Sequence, residues 1–352
     1  MLSTKKRSEE ITVTVPANRS TRRALLAAGS ALPLVALVGH RGAAAQFNLK
    51  FATGQDPTHP INTRVAEALA RIREATNGQV NIRLFPANQL GSDTDLLSQV
   101  RSGGIDFLNL STSILATFVP VTGIVNTGFA FVDYEAVWKA MDGALGQYIR
   151  AQIDRAGIVS VSMLYDNGFR QITTSTKPIT TPADLSGLKL RVPPAPMLTS
   201  LFKALGAGPA SINFNEVYSA LQTKVVEGQE NPLAIIATAR IYEVQKFCSM
   251  TGHVWDGYCF LANRRSWTAL PPDVQAIAIR EFDRSALDER ADIARLNDTL
   301  RQDLTAKGLV FNDVNRDLFR TALTRTSFYT DWKARYGETA WGLLEQTTGR
   351  LG

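Results

Sequence analysis

The sequence predicts an α/β protein with two domains, and three observations support this prediction. The chain has 352 residues, of which 45% are hydrophobic and 20% charged, enough for two globular cores and unlike a disordered chain. Segments with the two-residue period of strands alternate with segments that have the 3.6-residue period of helices, which is typical of parallel sheets covered by helices. A helical pattern also runs from Pro271 to Gly308, which is longer than one domain of about 30 Å needs.

The first part of the globular chain alternates regularly between strands and helices. Pro60 suits the first turn of a helix, and Ser92 with Asp95 three residues later has the pattern of a capping box. The predicted order is a strand at Phe47–Thr53, a helix from Pro60 to Asn77, a strand at 80–84, a helix from Ser92 to Gly103 and a strand at 105–110. This order predicts a parallel sheet with helices on its faces.

The chain is expected to cross between the two domains more than once. A helix at 134–156 and a strand at 158–164 precede the turn Asp166-Asn167-Gly168, where we place the first crossing. Strands at 247–254 and 257–263 bracket the return crossing, and such crossings make a hinge rather than a flexible linker. The predicted parts are domain I at 46–168 with 256–310, domain II at 169–255, a helix at 271–308 spanning both domains, and C-terminal helices within 311–352.

Residues 1–45 have the pattern of an export signal. A basic start leads into an apolar stretch that ends at Val38, and Ala43-Ala44-Ala45 fits a small-residue cleavage site. We therefore expect export to the periplasm with cleavage near Ala45. The pair Arg22-Arg23 before Leu-Leu is similar to a twin-arginine signal, although an ordinary secretory signal remains an alternative.

The net charge and the cysteine content narrow the function further. The formal charge is +6, but residues 1–45 hold seven Lys and Arg against two Glu, a net of +5, which leaves +1 for the rest. The globular part therefore has no basic bias toward nucleic acid, and we predict no nucleic-acid partner. Cys248 and Cys259 are the only cysteines in the sequence, and we expect two buried thiols rather than a disulfide.

The stretch from Gly187 to Pro232 is where we expect the binding site. A short apolar strand carries Arg191 up to Pro193-Pro194, and prolines cannot continue a central ladder. Arg191 therefore lies at the carboxyl edge of a strand, where open α/β sheets bind ligands. Asn231, just before Pro232, ends another apolar run, so these two side chains can converge on one anion.

LKLRVPP at 188–194 and FNEVYSALQTKVVEGQENP at 214–232 resemble the solute-binding proteins of TRAP (tripartite ATP-independent periplasmic) transporters, the dicarboxylate-binding DctP-like family. The resemblance implies a periplasmic-binding-protein-like (Venus flytrap) fold that captures a small organic acid and delivers it to TRAP membrane permease subunits. It implies that Arg191 grips the carboxylate and that Asn231 helps to hold it. Lys224 departs from the pattern, since many members have Gly there, and we expect this to alter a surface turn rather than the site.

Each of the remaining candidate residues has an alternative, structural role. DNGFRQ at 166–171 is also similar to the family, which implies a role for Arg170 at the anion site, although an ion pair at the hinge is an alternative. His59 lies in the loop after the first strand, another carboxyl-end position, although it could instead bridge that loop. Three aromatic residues are candidates for the pocket wall, with core packing as the alternative for each: Phe169, Phe214 and Tyr218.

Motifs of known enzyme classes are absent from the sequence. It has no Gly-rich phosphate loop, no HExxH and no GxSxG, and no Cys/His group has metal-binding spacing. We therefore predict a binding protein that is not an enzyme and needs no cofactor or metal. Two alternatives remain open at this point: an exported enzyme that uses Arg191 to clamp a carboxylate substrate, and a ligand-sensing module.

Overall fold

The computed structural model describes residues 46–352, so the predicted signal peptide and its cleavage near Ala45 lie outside the described residues. The strands are β1 Phe47–Thr53, β2 Val80–Phe85, β3 Phe107–Ser111, β4 Ile158–Ser160, β5 Tyr165–Phe169, β6 Gln171–Thr174, β7 Lys189–Val192, β8 Gly208–Ser211, β9 Gly228–Asn231, β10 Phe247–Met250, β11 Trp255–Asn263 and β12 Val310–Asp313. The α-helices are α1 Pro60–Ala75, α2 Asp93–Ser102, α3 Thr112–Leu115, α4 Tyr134–Met141, α5 Ala144–Arg155, α6 Pro196–Ala204, α7 Val217–Gln222, α8 Leu233–Thr238, α9 Arg264–Thr268, α10 Pro272–Ala306, α11 Arg316–Thr324 and α12 Phe328–Thr348. Short 3₁₀ helices lie at Pro120–Asn126, Pro182–Leu185, Phe214–Glu216 and Ile241–Glu243.

The first sheet contains the strands that the sequence predicted to be parallel. Its order is β2-β1-β3-β11-β4, with β5 also paired to β11. β1 pairs in parallel with both β2 and β3, as predicted, whereas β11 runs antiparallel to its three partners. The capping box of Ser92 and Asp95 is present at the start of α2. The carboxyl ends of β1 and β3 therefore lie at one edge of this sheet.

The second sheet has the order β12-β10-β6-β9-β7-β8. β7 pairs in parallel with β8 and β9, while β6 is antiparallel to β9 and β10. The chain passes from the first sheet to the second between β5 and β6, and returns between β10 and β11, which is where the crossings were predicted. The α/β fold with two sheets is thus as predicted.

The return of the chain to the second sheet after the long helix was not predicted. β12 follows the long helix and pairs in parallel with β10 at the edge of the second sheet. The prediction of C-terminal helices at 311–352 therefore missed this strand. The four residues of β12 are too few to show a strand period, and none of them is buried, so no alternation could be detected in the sequence.

The long helix α10 has 35 residues and connects two separate cores, as expected for a helix that spans both domains. Near its start, Ala278 and Phe282 pack in a core with residues of β1 and α1. Near its end, Leu300 and Leu304 pack in a second core that includes residues of α7 and α8. A single rigid helix thus links the two halves of the chain.

The predicted helix at 134–156 is wrong in one respect, because it is two helices, α4 and α5. The break lies at Asp142 and Gly143, and Gly143 has extended backbone angles. A side chain at Gly146 would lie 1.7 Å from the carbonyl oxygen of Met141, so the two helices meet too closely for any residue but glycine. The strand predicted at 158–164 is likewise shorter than expected and ends at Ser160.

Cys248 and Cys259 are free and buried, as expected, and burial raises the pKa of both thiols to about 12. Among the helices within 46–352, none is long and apolar enough to cross a membrane.

Candidate functional site

A small cavity lies where the carboxyl ends of strands from both sheets meet. The volume open to the centre of a water molecule inside it is about 30 Å³. One buried water needs about 10–15 Å³ measured in this way, so the space suits a small ligand. The polar lining residues are Gln55, Asp93, Asn109, Ser111, Ser113, Asn167, Arg170, Arg191, Asn231 and Tyr258, and the apolar ones include Leu110, Ile114, Pro193, Phe214 and Ile235.

Arg191 is a buried cation that forms no ion pair within residues 46–352. It is 1% exposed at the end of β7, and its Nε donates to the carbonyl oxygen of Ile212 at 2.9 Å. No carboxylate oxygen within residues 46–352 lies within 4.0 Å of its nitrogen atoms. Burial lowers the pKa of Arg191 to about 9, against the opposing effect of Glu230. The rest of its guanidinium fork is therefore available to an anion in the cavity.

Arg170 lines the same cavity, but its charge is paired. Its Nε donates to Oε2 of Glu230, and its Nη2 lies 2.8 Å from Oε1 of the same carboxylate. Its Nη1 lies 3.4 Å from Asp256. Burial opposes the charge on Arg170, but Glu230 and Asp256 outweigh it and raise the pKa of the guanidinium. The predicted alternative of an ion pair at the hinge describes this geometry.

Asn231 also lines the cavity, and its amide is held from both sides. Its Oδ1 accepts from Nη2 of Arg170 at 3.0 Å, and its Nδ2 donates to Oε1 of Gln229. An amide nitrogen carries two hydrogens, so one donor position of Asn231 remains for a ligand. Phe214, half-buried in a 3₁₀ helix, forms part of the apolar wall.

The structure does not bring the other three predicted residues into the cavity wall. Tyr218 points its hydroxyl at Glu243, with an O–O distance of 2.8 Å, on the outside of α7. Phe169 packs edge-to-face on Tyr134 with 5.1 Å between ring centroids. His59 is the N-cap of α1, where its Nδ1 accepts from the backbone N–H of Ile61, and burial lowers its pKa to about 4. The alternative stated for His59 was a bridge across the loop, and the structure shows an N-cap instead.

Sequence reasoning overlooked several lining residues from the first sheet. Gln55, Asn109 and Asn167 are at least nine-tenths buried, and each has amide atoms without a hydrogen-bond partner. Asp93, in the first turn of α2, is 6% exposed and also lines the cavity. The signal available in the sequence was position, because Gln55 follows the carboxyl end of β1 by two residues and Asn109 lies within β3.

Glu230 and His253 form a second layer behind the cavity. Nε2 of His253 lies 3.0 Å from Oε2 of Glu230, and its Nδ1 lies 2.8 Å from Oγ1 of Thr251. Burial disfavours the charge on Glu230, but Arg170 and His253 overcome it and lower its pKa to about 2. Glu230 therefore stays ionised and fixes Arg170 in place.

The sequence of this chain is similar to several known proteins. Residues 51–329 match the family of bacterial extracellular solute-binding proteins, family 7 (DctP). The chain is 31% identical over 306 residues to the 2,3-diketo-L-gulonate-binding periplasmic protein YiaO of Escherichia coli, covering 87% of this chain and 91% of that protein. It is 32% identical over 306 residues to the uncharacterized protein y4mM of Sinorhizobium fredii, covering 86% of this chain but only 56% of that longer relative.

A solved structure shares the fold. The TRAP periplasmic solute-binding protein of Sulfurospirillum deleyianum, with bound succinate, has a TM-score of 0.81 and 26% identity, covering 87% of this chain and 99% of that chain. The resemblance seen in LKLRVPP and QENP is thus confirmed, and the alternative of an exported enzyme is set aside. This chain belongs to the bacterial extracellular solute-binding proteins of family 7, the solute-binding proteins of TRAP transporters, which are transport proteins and not enzymes.

Proposed function

We propose that this protein captures a small organic acid anion with Arg191 and delivers it to the membrane permease of a TRAP transporter. The observation that carries the proposal is a buried guanidinium that lines a cavity and has no carboxylate oxygen within 4.0 Å among residues 46–352. A carboxylate ligand supplies the missing charge. The names of two relatives agree with this chemistry, since one is named for 2,3-diketo-L-gulonate and the other holds succinate.

The physical reason is the cost of burying an ion. A charge removed from water is stabilised in a protein only when a counter-ion and hydrogen bonds replace its hydration. The planar fork of Arg191 can make two parallel hydrogen bonds to a carboxylate, and it stays charged at neutral pH. Asn231 has one free donor position nearby, and Phe214 provides an apolar wall. The ligand carboxylate and Arg191 would thus replace, for each other, the interactions with water that both lose on burial.

The proposed mechanism includes opening and closing of two domains, with domain I at 46–168 and 256–310 and domain II at 169–255. The connections between β5 and β6 and between β10 and β11 are the hinge positions in this proposal. Lining residues come from both halves, for example Asn109 from the first sheet and Arg191 from the second. An open form would admit the acid, and closure would surround it.

The proposed place of action is the periplasm, reached through the signal at 1–45. Relatives are named as periplasmic proteins, which supports this location. The permease partner is proposed on the family alone. Transport energy would be supplied in the membrane, because the described chain offers binding groups and the family is not one of enzymes.

Titration calorimetry with a panel of organic acids tests the role of Arg191. Arg191→Ala should weaken binding by about 2–5 kcal/mol, which corresponds to roughly thirty-fold to several thousand-fold, because the ligand charge is then buried and unpaired. Arg191→Lys should also bind poorly, since an ammonium cannot reproduce the fork. The ligand-free Arg191→Ala protein should be at least as stable as the wild type, because the mutation removes an unpaired buried charge.

Arg325 is an exposed arginine of the same chain and provides the matched control. Arg325→Ala should leave affinity unchanged, and its stability should change by about 0.5 kcal/mol or less. Affinity within about threefold of the wild type in both Arg191 variants would place the anion site elsewhere.

A further inference from the structure

A second pocket lies apart from the cavity that holds Arg191 and shares no lining residue with it. Its volume is about 380 Å³, which is within the range of small-molecule sites. Its walls come from the segment after β3, from the start of α6 and from α12, so an occupant would contact residues that follow strands of both sheets. The lining residues include Ala116, Pro196, Met197, Trp332, Arg335 and Tyr336.

The hydroxyl of Tyr336 is buried and has no hydrogen-bond partner within residues 46–352. A Cβ atom placed on Gly123 would lie 3.0 Å from this oxygen and 3.0 Å from Cβ of Ala116, so the hydroxyl lies on the Ala116 side of the pocket. Burial raises the pKa of Tyr336 against the opposing effect of Arg335, so the hydroxyl is neutral. Because buried polar atoms are nearly always paired in folded proteins, this hydroxyl indicates a hydrogen bond that an occupant makes.

The sides of the pocket suit a flat apolar body. The rings of Trp332 and Tyr336 have centroids 5.2 Å apart and planes inclined by 33°. Trp332 is held in place because its Nε1 donates to Oγ of Ser200 at 3.0 Å. Met197 adds a thioether, which makes favourable contacts with aromatic rings. An aromatic ring in the pocket would therefore gain both apolar burial and contacts with these rings.

Arg335 supplies a positive charge at the exposed end of the pocket. Its guanidinium carbon lies 4.9 Å from the centroid of the Trp332 ring. It forms no ion pair with any residue in the described part of the chain, 46–352. The guanidinium fork is therefore available to a carboxylate on the occupant.

We propose that this pocket binds an aromatic monocarboxylate with a phenolic hydroxyl, at a site separate from the anion cavity of Arg191. The ring would lie against Trp332 and Met197, the carboxylate at Arg335, and the hydroxyl in a hydrogen bond with Tyr336. An apolar side chain of a partner protein would leave the hydroxyl of Tyr336 unpaired, and for this reason a small molecule is the better occupant. A second binding site goes beyond the proposed function.

Calorimetry with para-hydroxyphenylacetate and phenylacetate tests the proposal, using purified Arg191→Ala protein so that the anion cavity does not contribute. We expect para-hydroxyphenylacetate to bind with a Kd below about 1 mM, and phenylacetate to bind about fivefold more weakly because it lacks the hydroxyl. Adding Tyr336→Phe should make the two affinities equal. Adding Arg335→Ala should weaken both probes by about fivefold, since the carboxylate loses its cation. The same two changes in an otherwise wild-type chain provide an independent comparison.

Tyr148→Phe and Arg325→Ala are the matched controls, because each makes the same chemical change at a residue outside the pocket. Both should leave the two affinities and their ratio unchanged. The proposal would be overturned if neither probe binds Arg191→Ala up to about 10 mM, or if the preference for the hydroxyl survives Tyr336→Phe. Neither result would affect the proposed function, which is tested separately at Arg191.

Discussion

Arg170 and Arg191 both line the cavity and are both buried, but only Arg170 forms ion pairs among the described residues. Arg170 and Arg191 are 2% and 1% exposed. Arg170 is paired to Glu230 and Asp256, whereas Arg191 has no carboxylate within 4.0 Å in the described chain. Burial alone therefore does not identify a binding residue. The proposed role of Arg191 is supported instead by the absence of an ion-pair partner in the described chain, beside a cavity.

Strand register explains why the two arginines differ. β6 runs antiparallel to β9, and their register places Gln171 opposite Asn231 and Ile172 opposite Glu230. Arg170 just precedes β6, so its side chain reaches the carboxylate of Glu230. In contrast, Arg191 has neutral residues, Gln229 and Ala210, as its register partners. The pairing of the second sheet thus gives one arginine a structural role and leaves the other free.

The largest expected effect is on folding, from Arg170→Ala. This change leaves the charge of Glu230 buried with no guanidinium, so the free energy of unfolding of the ligand-free protein should fall by about 3–5 kcal/mol. Urea denaturation measures this loss. The comparison with Arg191 is sharp, because Arg191→Ala is expected to reduce affinity and not stability.

A double-mutant cycle provides the control for Arg170. Arg170→Met combined with Glu230→Gln should destabilise the protein less than the sum of the single changes, since the two charges are removed together. Wild-type stability with lost affinity in Arg170→Ala would contradict the structural role. Arg170 would then be an anion-binding residue, as the resemblance implied.

The sequence predicted the site in part, and the limits have physical causes. Arg191 could be found because two prolines end its strand and place it at a sheet edge. The neutralisation of Arg170 could not be found, because it depends on the register between β6 and β9, which no local pattern encodes. Tyr218 does not line the cavity, because an aromatic residue near a predicted pocket can equally face outward. His59 was read as a site candidate although its position just before Pro60 also suits an N-cap.

The fold was predicted more completely than the site. β1, α1 and α10 have apolar periods long enough to be read directly, and the structure has all three. Gln55 and Asn109 were overlooked because polar residues inside or beside buried strands resemble caps and turns in the sequence. Their unpartnered atoms become visible only when both sheets are in place.

Glu289 is a buried acid that forms no ion pair within the described chain, whereas Arg191 is a buried cation that forms none. Glu289 is 0% exposed on α10, where its Oε2 accepts from the backbone N–H of Asp166 and its Oε1 has no partner. Burial, reinforced by the charge of Asp166, raises the pKa of Glu289 well above 4.5. Burial also raises the pKa of Asp166 to about 7. Unlike Arg191, both carboxyls can become neutral.

The sign of the pH dependence follows from these shifts. A carboxyl whose pKa is raised on folding binds more protons in the folded state, so its contribution to stability is present at low pH and declines as pH rises above the unfolded value. Stability should therefore decrease as pH rises from about 5, by up to about 1.4 kcal/mol per pH unit for each such group, and the contribution of Asp166 should be lost once the pH passes its folded-state pKa of about 7. Glu289→Gln should flatten this decline while leaving affinity near that of the wild type. Urea titrations at pH 5, 6, 7 and 8 measure it, and an unchanged slope would contradict the assignment.

The smallest expected effect comes from Lys224. This residue lies in a surface turn, whereas Arg191, in the same stretch of the sequence, lies at the end of a strand. Lys224 is exposed and has φ 59, a left-handed conformation that costs a side-chain-bearing residue about 1–2 kcal/mol. Lys224→Gly removes this strain but adds about 0.5–1 kcal/mol of backbone entropy to the unfolded chain, so the net gain should be about 0.5–1 kcal/mol. Lys224→Ala removes the same charge and keeps the strain, so its stability should not increase.

Affinity should be unchanged in both variants, because Lys224 does not line the cavity. Equal stability of the Gly and Ala variants would show that the turn is unstrained, and a change in affinity would show that this turn and the Arg191 edge are coupled.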